Sequence, residues 1–143
     1  MQRIIVTGAT SMIGVALIEE CIKHGTEVYA VVREGSKKRS RLPESSLIKF
    51  ADCSLEHLDR LPEMISQECD TFYHIAWGNT GENRNSSTEL QSRNIGYTLA
   101  AVKAAAALGC KRFIGAGSQA EYGLLDLDRI SPDRKSTRLN SSH

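Results

Sequence analysis

Short apolar runs alternate along the chain with longer segments in which apolar residues recur at helical spacing. The short runs are nearly continuous, as expected for strands of a parallel sheet that is buried on both faces. This pattern predicts strands at residues 2–7, 27–32, 47–50, 71–76 and 110–116, and helices at 12–24, 55–66 and 88–108. The alternation predicts an α/β fold, a doubly wound parallel sheet with strand order 3-2-1-4-5.

The helix predicted at 88–108 has the most regular pattern. Alanine is frequent there, Gly109 follows as a stop signal, and four apolar residues fall at helical spacing: Ile95, Leu99, Val102 and Ala106. The pattern predicts one apolar face toward the sheet and an outer face without a distinctive patch. By contrast, Pro62 interrupts the segment 55–66, so that helix is expected to be short or broken.

Composition and charge limit the function without naming it. The 143 residues suffice for one domain, and 18 basic against 17 acidic side chains give no sign of a nucleic-acid or membrane partner. No apolar run is long enough for a membrane span, and the first residues lack a signal-peptide layout. The four cysteines show no C-x-x-C spacing and the four histidines no ligand spacing. We therefore expect free, buried thiols in the reducing cytoplasm and no metal site.

A glycine-containing turn between the first strand and the first helix is the main candidate for binding chemistry. Gly8 permits a sharp turn off the strand, and Gly14 lets the helix lie close to the sheet. The N–H groups at the helix start would bind a dinucleotide diphosphate, aided by the helix dipole. The spacing is G-x-x-x-x-x-G, with Ser11 in place of a middle glycine. The alternative is a tight turn that binds no ligand.

The end of the second strand bears on which cofactor is bound. A carboxylate there would bind the ribose hydroxyls of NAD, but this chain has Val32 followed by Arg33. Arg33 can pair with a 2′-phosphate, which favours NADP(H) over NAD(H). Further basic residues follow up to Arg41, and we interpret that cluster as a solvated loop.

Taken in order, six motifs resemble one known family: TGATSMIG, VYAVVR, ADCS, YHIAW, NIGYTLAAVKAA and GCKRFIGAGSQAEYG. They are similar to the extended short-chain dehydrogenase/reductases, the NAD(P)-dependent epimerase/dehydratase group, over residues 1 to about 130. The resemblance implies a Rossmann-type sheet, here truncated after about five strands, with an NADP or NAD cofactor. It further implies a small-molecule, sugar-like substrate, often a nucleotide sugar, and a possible homodimer of the full-length protein.

The resemblance also implies roles for individual residues. The cofactor-binding positions would be Gly8, Thr10, Ser11, Met12, Ile13, Gly14, Arg33, Asp52, Cys53, Ala76 and Trp77. Asp52 and the N–H of Cys53 would meet the adenine, although Asp52 could instead cap a loop. Ala76 and Trp77 would lie along the ribose and nicotinamide. Trp77 replaces a small residue and would narrow the pocket, or it could simply cover the surface.

Two positions correspond to catalytic residues of the family. Ser118 would hydrogen-bond the substrate oxygen, with a simple turn serine as the alternative. Asn94 would take part in the site, or would be a buried amide bonded to backbone. Gln119 and Glu121 would line the substrate side, and the pair Tyr122-Gly123 would shape the pocket.

The catalytic Tyr-x-x-x-Lys pair of the family does not occur in this sequence, because no tyrosine is followed four residues later by lysine. Residues 133–143 have no hydrophobic period and resemble a translated sequencing adapter. We therefore expect a dinucleotide-binding domain at 1–132, a non-native tail at 133–143, and no turnover by this chain. A genuine disordered tail is the alternative for the last segment. The rival interpretations are a non-catalytic NADP(H)-binding regulatory relative and a doubly wound domain that binds no nucleotide.

Overall fold

The sheet is parallel and has the predicted strand order. The computed structural model describes residues 2–78 and 88–118. Within these residues the sheet has the order β3-β2-β1-β4-β5. The strands are β1 (Arg3–Thr7), β2 (Glu27–Val32), β3 (Ile48–Asp52), β4 (Thr71–His74) and β5 (Arg112–Gly115). All the pairings are parallel, so the carboxyl ends of the strands share one edge of the sheet.

Helices cover both faces of this sheet. They are α1 (Met12–Lys23), α2 (Leu61–Met64) and α3 (Thr88–Ala107), with 3₁₀ helices at Lys37–Arg41 and Leu55–Arg60. The predicted helix at 55–66 is thus broken, as its proline indicated. Pro62 lies in the first turn of α2, where its missing N–H is tolerated.

Two apolar clusters form the core, one on each face of the sheet. Ile18 of α1 packs with alternate residues of β1 and β2, including Val6 and Val28. On the opposite face, Phe72 packs with residues of α2, α3 and the 3₁₀ helix Leu55–Arg60. All six residues of β2 are buried, as its continuous apolar run predicts. This placement of helices on both faces confirms the doubly wound fold.

Helix α3 packs through a different face from the one predicted. Ile95, Leu99 and Val102 are 64%, 58% and 43% exposed, and Ala106 is exposed as well. The buried residues of the helix are Asn94, Ala101, Ala104 and Ala105. The prediction was wrong because α3 has two apolar faces, and the face of small side chains allows the closer approach to the sheet. The outer face therefore carries an apolar stripe, and the prediction of an outer face without a distinctive patch is wrong.

The four cysteines are unpaired. Cys53 and Cys69 are buried, while Cys21 and Cys110 are half-buried. Burial raises the pKa of the Cys69 thiol to about 12, so this group is protonated at neutral pH. Among residues 2–78 and 88–118, we find no cluster of metal-ligating side chains. In the same ranges, no helix combines the length and apolarity needed to cross a membrane.

Candidate functional site

A cleft of about 540 Å³ opens at the carboxyl edge of the sheet. It lies over the boundary between β1 and β4, where the chain reverses its direction of winding and open α/β sheets bind their ligands. Seven of the predicted cofactor residues line it: Gly8, Thr10, Ser11, Arg33, Cys53, Ala76 and Trp77. The other four predicted residues, Met12, Ile13, Gly14 and Asp52, do not line it.

The floor of the cleft depends on two glycines. Gly8 has φ +67°, and a Cβ there would lie 2.8 Å from the backbone nitrogen of Ala76. A Cβ on Gly14 would lie 2.1 Å from the Gly8 carbonyl oxygen. Both contacts are with backbone atoms, so neither position has room for a side chain. The glycines bring the β1 turn, the β4 turn and the start of α1 into direct contact.

Ser11 is the N-cap of α1 and closes the glycine turn. Its hydroxyl donates to the Gly8 carbonyl oxygen (2.7 Å) and accepts from the Gly14 N–H (3.0 Å). The exposed residues Met12 and Ile13 begin the helix, so their N–H groups have no intrahelical partner. This arrangement suits an anionic ligand, because unpaired N–H donors and the positive end of the helix dipole coincide at the N-terminus of α1.

The basic segment after β2 folds back over the glycine turn. Ser36, Lys38 and Arg41 line the cleft together with Arg33, and the Arg41 guanidinium donates to the Thr10 carbonyl oxygen (3.2 Å). The interpretation as a solvated loop is therefore incomplete, because this exposed segment also forms part of the cleft wall. The sequence signal was the run of basic residues, but spacing alone could not show that this run returns to the turn.

The residues at the end of β3 are engaged with the protein itself. The Asp52 carboxylate forms an ion pair with Arg39, whose guanidinium also lies over the Phe50 ring at 5.0 Å. The Cys53 N–H donates to the Val32 carbonyl oxygen (2.8 Å). Cys53 lines the cleft, whereas Asp52 does not. The Cys53 N–H is thus already bonded within the protein, whereas the half-exposed Asp52 carboxylate keeps acceptor sites beside Arg39, so its contact with adenine stays a prediction.

A buried hydroxyl ties β1 to the turn after β4. Thr7 Oγ1 lies 2.8 Å from His74 Nδ1 and accepts from the N–H groups of Ile75 (3.2 Å) and Ala76 (3.3 Å). Because these two N–H groups occupy its lone pairs, the hydroxyl proton goes to Nδ1, and the imidazole proton lies on Nε2. Burial lowers the pKa of His74, which keeps this ring neutral. The pair fixes the backbone of the cleft wall.

Asn94 fixes the same wall from the side of α3. Its Oδ1 accepts from the Gly78 N–H (2.7 Å), and its Nδ2 donates to the Gly78 carbonyl oxygen (3.0 Å). The side chain is only 1% exposed and does not line the cleft. These contacts support the alternative of a buried amide bonded to backbone, and none of them supports a catalytic role.

Two aromatic residues face the cleft from this wall. The Trp77 indole N–H donates to Gln91 Oε1 (3.1 Å), and the ring is 49% exposed. The Tyr97 hydroxyl donates to Glu56 Oε1 (3.5 Å), and both residues line the cleft. The sequence did not predict Tyr97 and Glu56 as residues of the cleft, because their proximity depends on how α3 packs beside the 3₁₀ helix Leu55–Arg60.

Ser118 follows β5 and is exposed. Since every strand of the described sheet is parallel, this residue lies at the same edge as the Gly8 turn. Ser118 is not among the residues that line the cleft, so its contact with a substrate stays a prediction. Gln119, Glu121, Tyr122 and Gly123 lie outside the described residues.

A doubly wound sheet with a glycine turn and a basic cleft at its carboxyl edge defines the class of dinucleotide-binding α/β domains. Sequence comparison gives the family within that class. A sequence model of the NAD dependent epimerase/dehydratase family matches residues 4–142, and this chain belongs to that family. No curated protein sequence gives a significant match.

Solved structures share the fold at low sequence identity. An epimerase of Methanothermobacter thermautotrophicus is 23% identical (TM-score 0.71), with 93% of this chain and 39% of that chain covered. The UDP-N-acetylglucosamine 4-epimerase of Methanobrevibacter ruminantium, solved with UDP-N-acetylmuramic acid, is 18% identical (TM-score 0.75; 94% and 44% covered). The enzyme WbmH of Bordetella bronchiseptica, solved with NAD⁺, is 17% identical (TM-score 0.70; 99% and 50% covered). The chain thus spans half or less of the length of these three proteins.

Proposed function

We propose that this chain is the dinucleotide-binding part of an NAD(P)-dependent epimerase/dehydratase or reductase. The observation that carries the proposal is the cleft in which Gly8 and Ser11, the N-cap of α1, meet the basic residues Arg33, Lys38 and Arg41. The substrate would be a sugar-like alcohol or carbonyl, with that of a nucleotide sugar favoured. The structural neighbours solved with NAD⁺ and with a UDP-sugar support this choice.

The proposal assigns roles to residues around the cleft. The N–H groups of Met12 and Ile13 bind the diphosphate, and Arg33 pairs with the phosphate on the adenosine ribose. This assignment favours NADP over NAD. The cofactor would supply hydride transfer at a substrate carbon, and the Ser118 hydroxyl would donate a hydrogen bond to the oxygen on that carbon. Epimerisation or dehydration is favoured over simple carbonyl reduction.

The whole protein would complete this chemistry with groups that the present sequence lacks. Because the Tyr-x-x-x-Lys pair is absent here, we expect this chain to bind dinucleotide without turnover. A longer sequence that contains the pair would favour the enzyme over a regulatory NADP(H)-binding relative. We further propose a homodimer of the whole protein in the reducing cytoplasm, with the apolar outer stripe of α3 in the interface.

Titration calorimetry with NADP⁺ and NAD⁺ tests the proposal. We expect the chain to bind both, with NADP⁺ the tighter ligand. Arg33→Ala should weaken NADP⁺ binding about 10- to 100-fold and leave NAD⁺ binding unchanged, since one charge-assisted hydrogen bond is worth about 1.5–3 kcal/mol. Arg60→Ala, on an exposed residue outside the cleft, is the matched control. Failure to bind either dinucleotide at millimolar concentration would overturn the proposal.

A further inference from the structure

Trp77 is a half-exposed aromatic ring held in the wall of the cleft. It is the one tryptophan of the chain, it lines the cleft, and 49% of it is exposed. Its indole N–H is bonded to Gln91 Oε1 at 3.1 Å. A ring in this setting offers a large apolar surface to a ligand while its polar atom is already satisfied.

The backbone on both sides of Trp77 is fixed by hydrogen bonds. Before it, the Ala76 N–H donates to Thr7 Oγ1. After it, both polar backbone atoms of Gly78 are bonded to the Asn94 amide. Gln91, which holds the indole, accepts from Asn94 Nδ2 as well (3.4 Å). The ring is therefore positioned before a ligand arrives, so little conformational freedom is lost on binding.

The strand order determines which part of a dinucleotide would reach this ring. The basic residues Arg33 and Arg41 follow β2, whereas Trp77 follows β4, and β1 with its glycine turn lies between them. A ligand with its diphosphate at the β1 turn and its adenosine ribose at Arg33 extends its other half toward β4. Trp77 is then beside the nicotinamide half.

We propose that Trp77 is a specificity-determining residue whose indole face packs on the nicotinamide half of the dinucleotide. This inference rests on the proposed function. It means that the cleft distinguishes a whole dinucleotide from ADP-ribose, which has the adenosine diphosphate and the second ribose but no nicotinamide ring. Gln91 acts as a positioning residue, because it sets the orientation of the indole and does not itself line the cleft.

The test compares NADP⁺ with its counterpart that lacks nicotinamide, 2′-phospho-ADP-ribose, on the full chain. Trp77→Ala should weaken NADP⁺ binding about tenfold and leave the truncated ligand unaffected, because only NADP⁺ loses an aromatic stacking contact in this variant. Trp77→Phe keeps an aromatic face and should lose only about threefold. Circular dichroism melting shows whether each variant is folded.

Gln91 provides a second, conservative pair of variants. Gln91→Leu removes the acceptor of the indole N–H and should weaken NADP⁺ binding, whereas Gln91→Glu keeps an acceptor oxygen and should restore it. In the unmodified chain, tryptophan emission should be quenched by NADP⁺ and much less by the truncated ligand. Equal losses for both ligands in Trp77→Ala, or no loss for either, would overturn this inference alone. If the unmodified chain binds neither ligand, the proposed function falls with it.

Discussion

Replacement of Gly14 by alanine should separate helix α1 from the glycine turn. The new Cβ would lie 2.1 Å from the Gly8 carbonyl oxygen and 2.9 Å from two backbone atoms of Ala9. Real Cβ atoms essentially never approach another heavy atom within 3.0 Å, and backbone atoms cannot rotate away as a side chain can. The helix must therefore move by about 1 Å, which also strains the bond from the Gly14 N–H to Ser11 Oγ.

Three terms set the size of the effect. Alanine is favoured over glycine in a helix interior by about 1 kcal/mol. Overpacking of a tightly filled site costs about 1–3 kcal/mol, and loss of an N-cap bond costs about 1 kcal/mol. The two costs exceed the gain, so Gly14→Ala should lower the free energy of unfolding by about 2 kcal/mol. Because the turn moves with the helix, dinucleotide binding should weaken as well.

Urea denaturation followed by circular dichroism measures this difference, and Gly96→Ala is the matched control. Gly96 is also a helical glycine, but a Cβ there would have no heavy atom within 4 Å. Helix propensity alone then predicts that Gly96→Ala raises the free energy of unfolding by about 0.5–1 kcal/mol. The two variants should thus change stability in opposite directions. A Gly14→Ala chain as stable as the unmodified one would refute the argument from close packing.

Three further predictions concern stability. Because the pKa of His74 is lowered in the folded chain, the unfolded chain binds more protons in this pH range, and the free energy of unfolding should rise with pH. The contribution of His74 should be present above the unfolded pKa of about 6.5 and should be lost as the pH falls below it. Denaturation between pH 5 and about 7 should show this slope, and His74→Asn should reduce it. Asn94→Ala should cost about 2 kcal/mol in urea denaturation, because it leaves both backbone atoms of Gly78 without their partners. Leu99→Gln, on the exposed face of α3, should change the unfolding free energy by less than about 0.5 kcal/mol, whereas Ala104→Gln on the buried face should cost more than about 2 kcal/mol.

Each of these predictions has its own contrary result. An unchanged pH slope in His74→Asn would mean that other groups cause the dependence. Ser92→Ala, on an exposed neighbour in α3, is the control for Asn94→Ala, and equal costs in the two variants would contradict the role of Asn94. If Leu99→Gln were the more damaging of the two α3 variants, the helix would pack through the face that its periodicity first suggested.

The strands and their order were predictable because continuous apolar runs and crossover rules leave few alternatives. The glycine turn was predictable for a related reason, since the lack of a Cβ has direct consequences for the backbone. The packed face of α3 was not predictable, because the periodicity shows two apolar faces and does not rank alanines above Leu99. Likewise, charge alone could not show that Arg41 donates to the Thr10 carbonyl oxygen or that Arg39 forms an ion pair with Asp52. Those contacts depend on tertiary proximity.

The hydroxyl of Thr7 serves three partners at once, and this leaves almost no latitude for mutation at the position. Valine has the same outline and suits a strand, yet it would set a methyl group against two amides and an imidazole. Serine would keep the oxygen but lose the branch that holds its rotamer. A saturation library at this codon should therefore yield threonine almost alone among well-expressed clones.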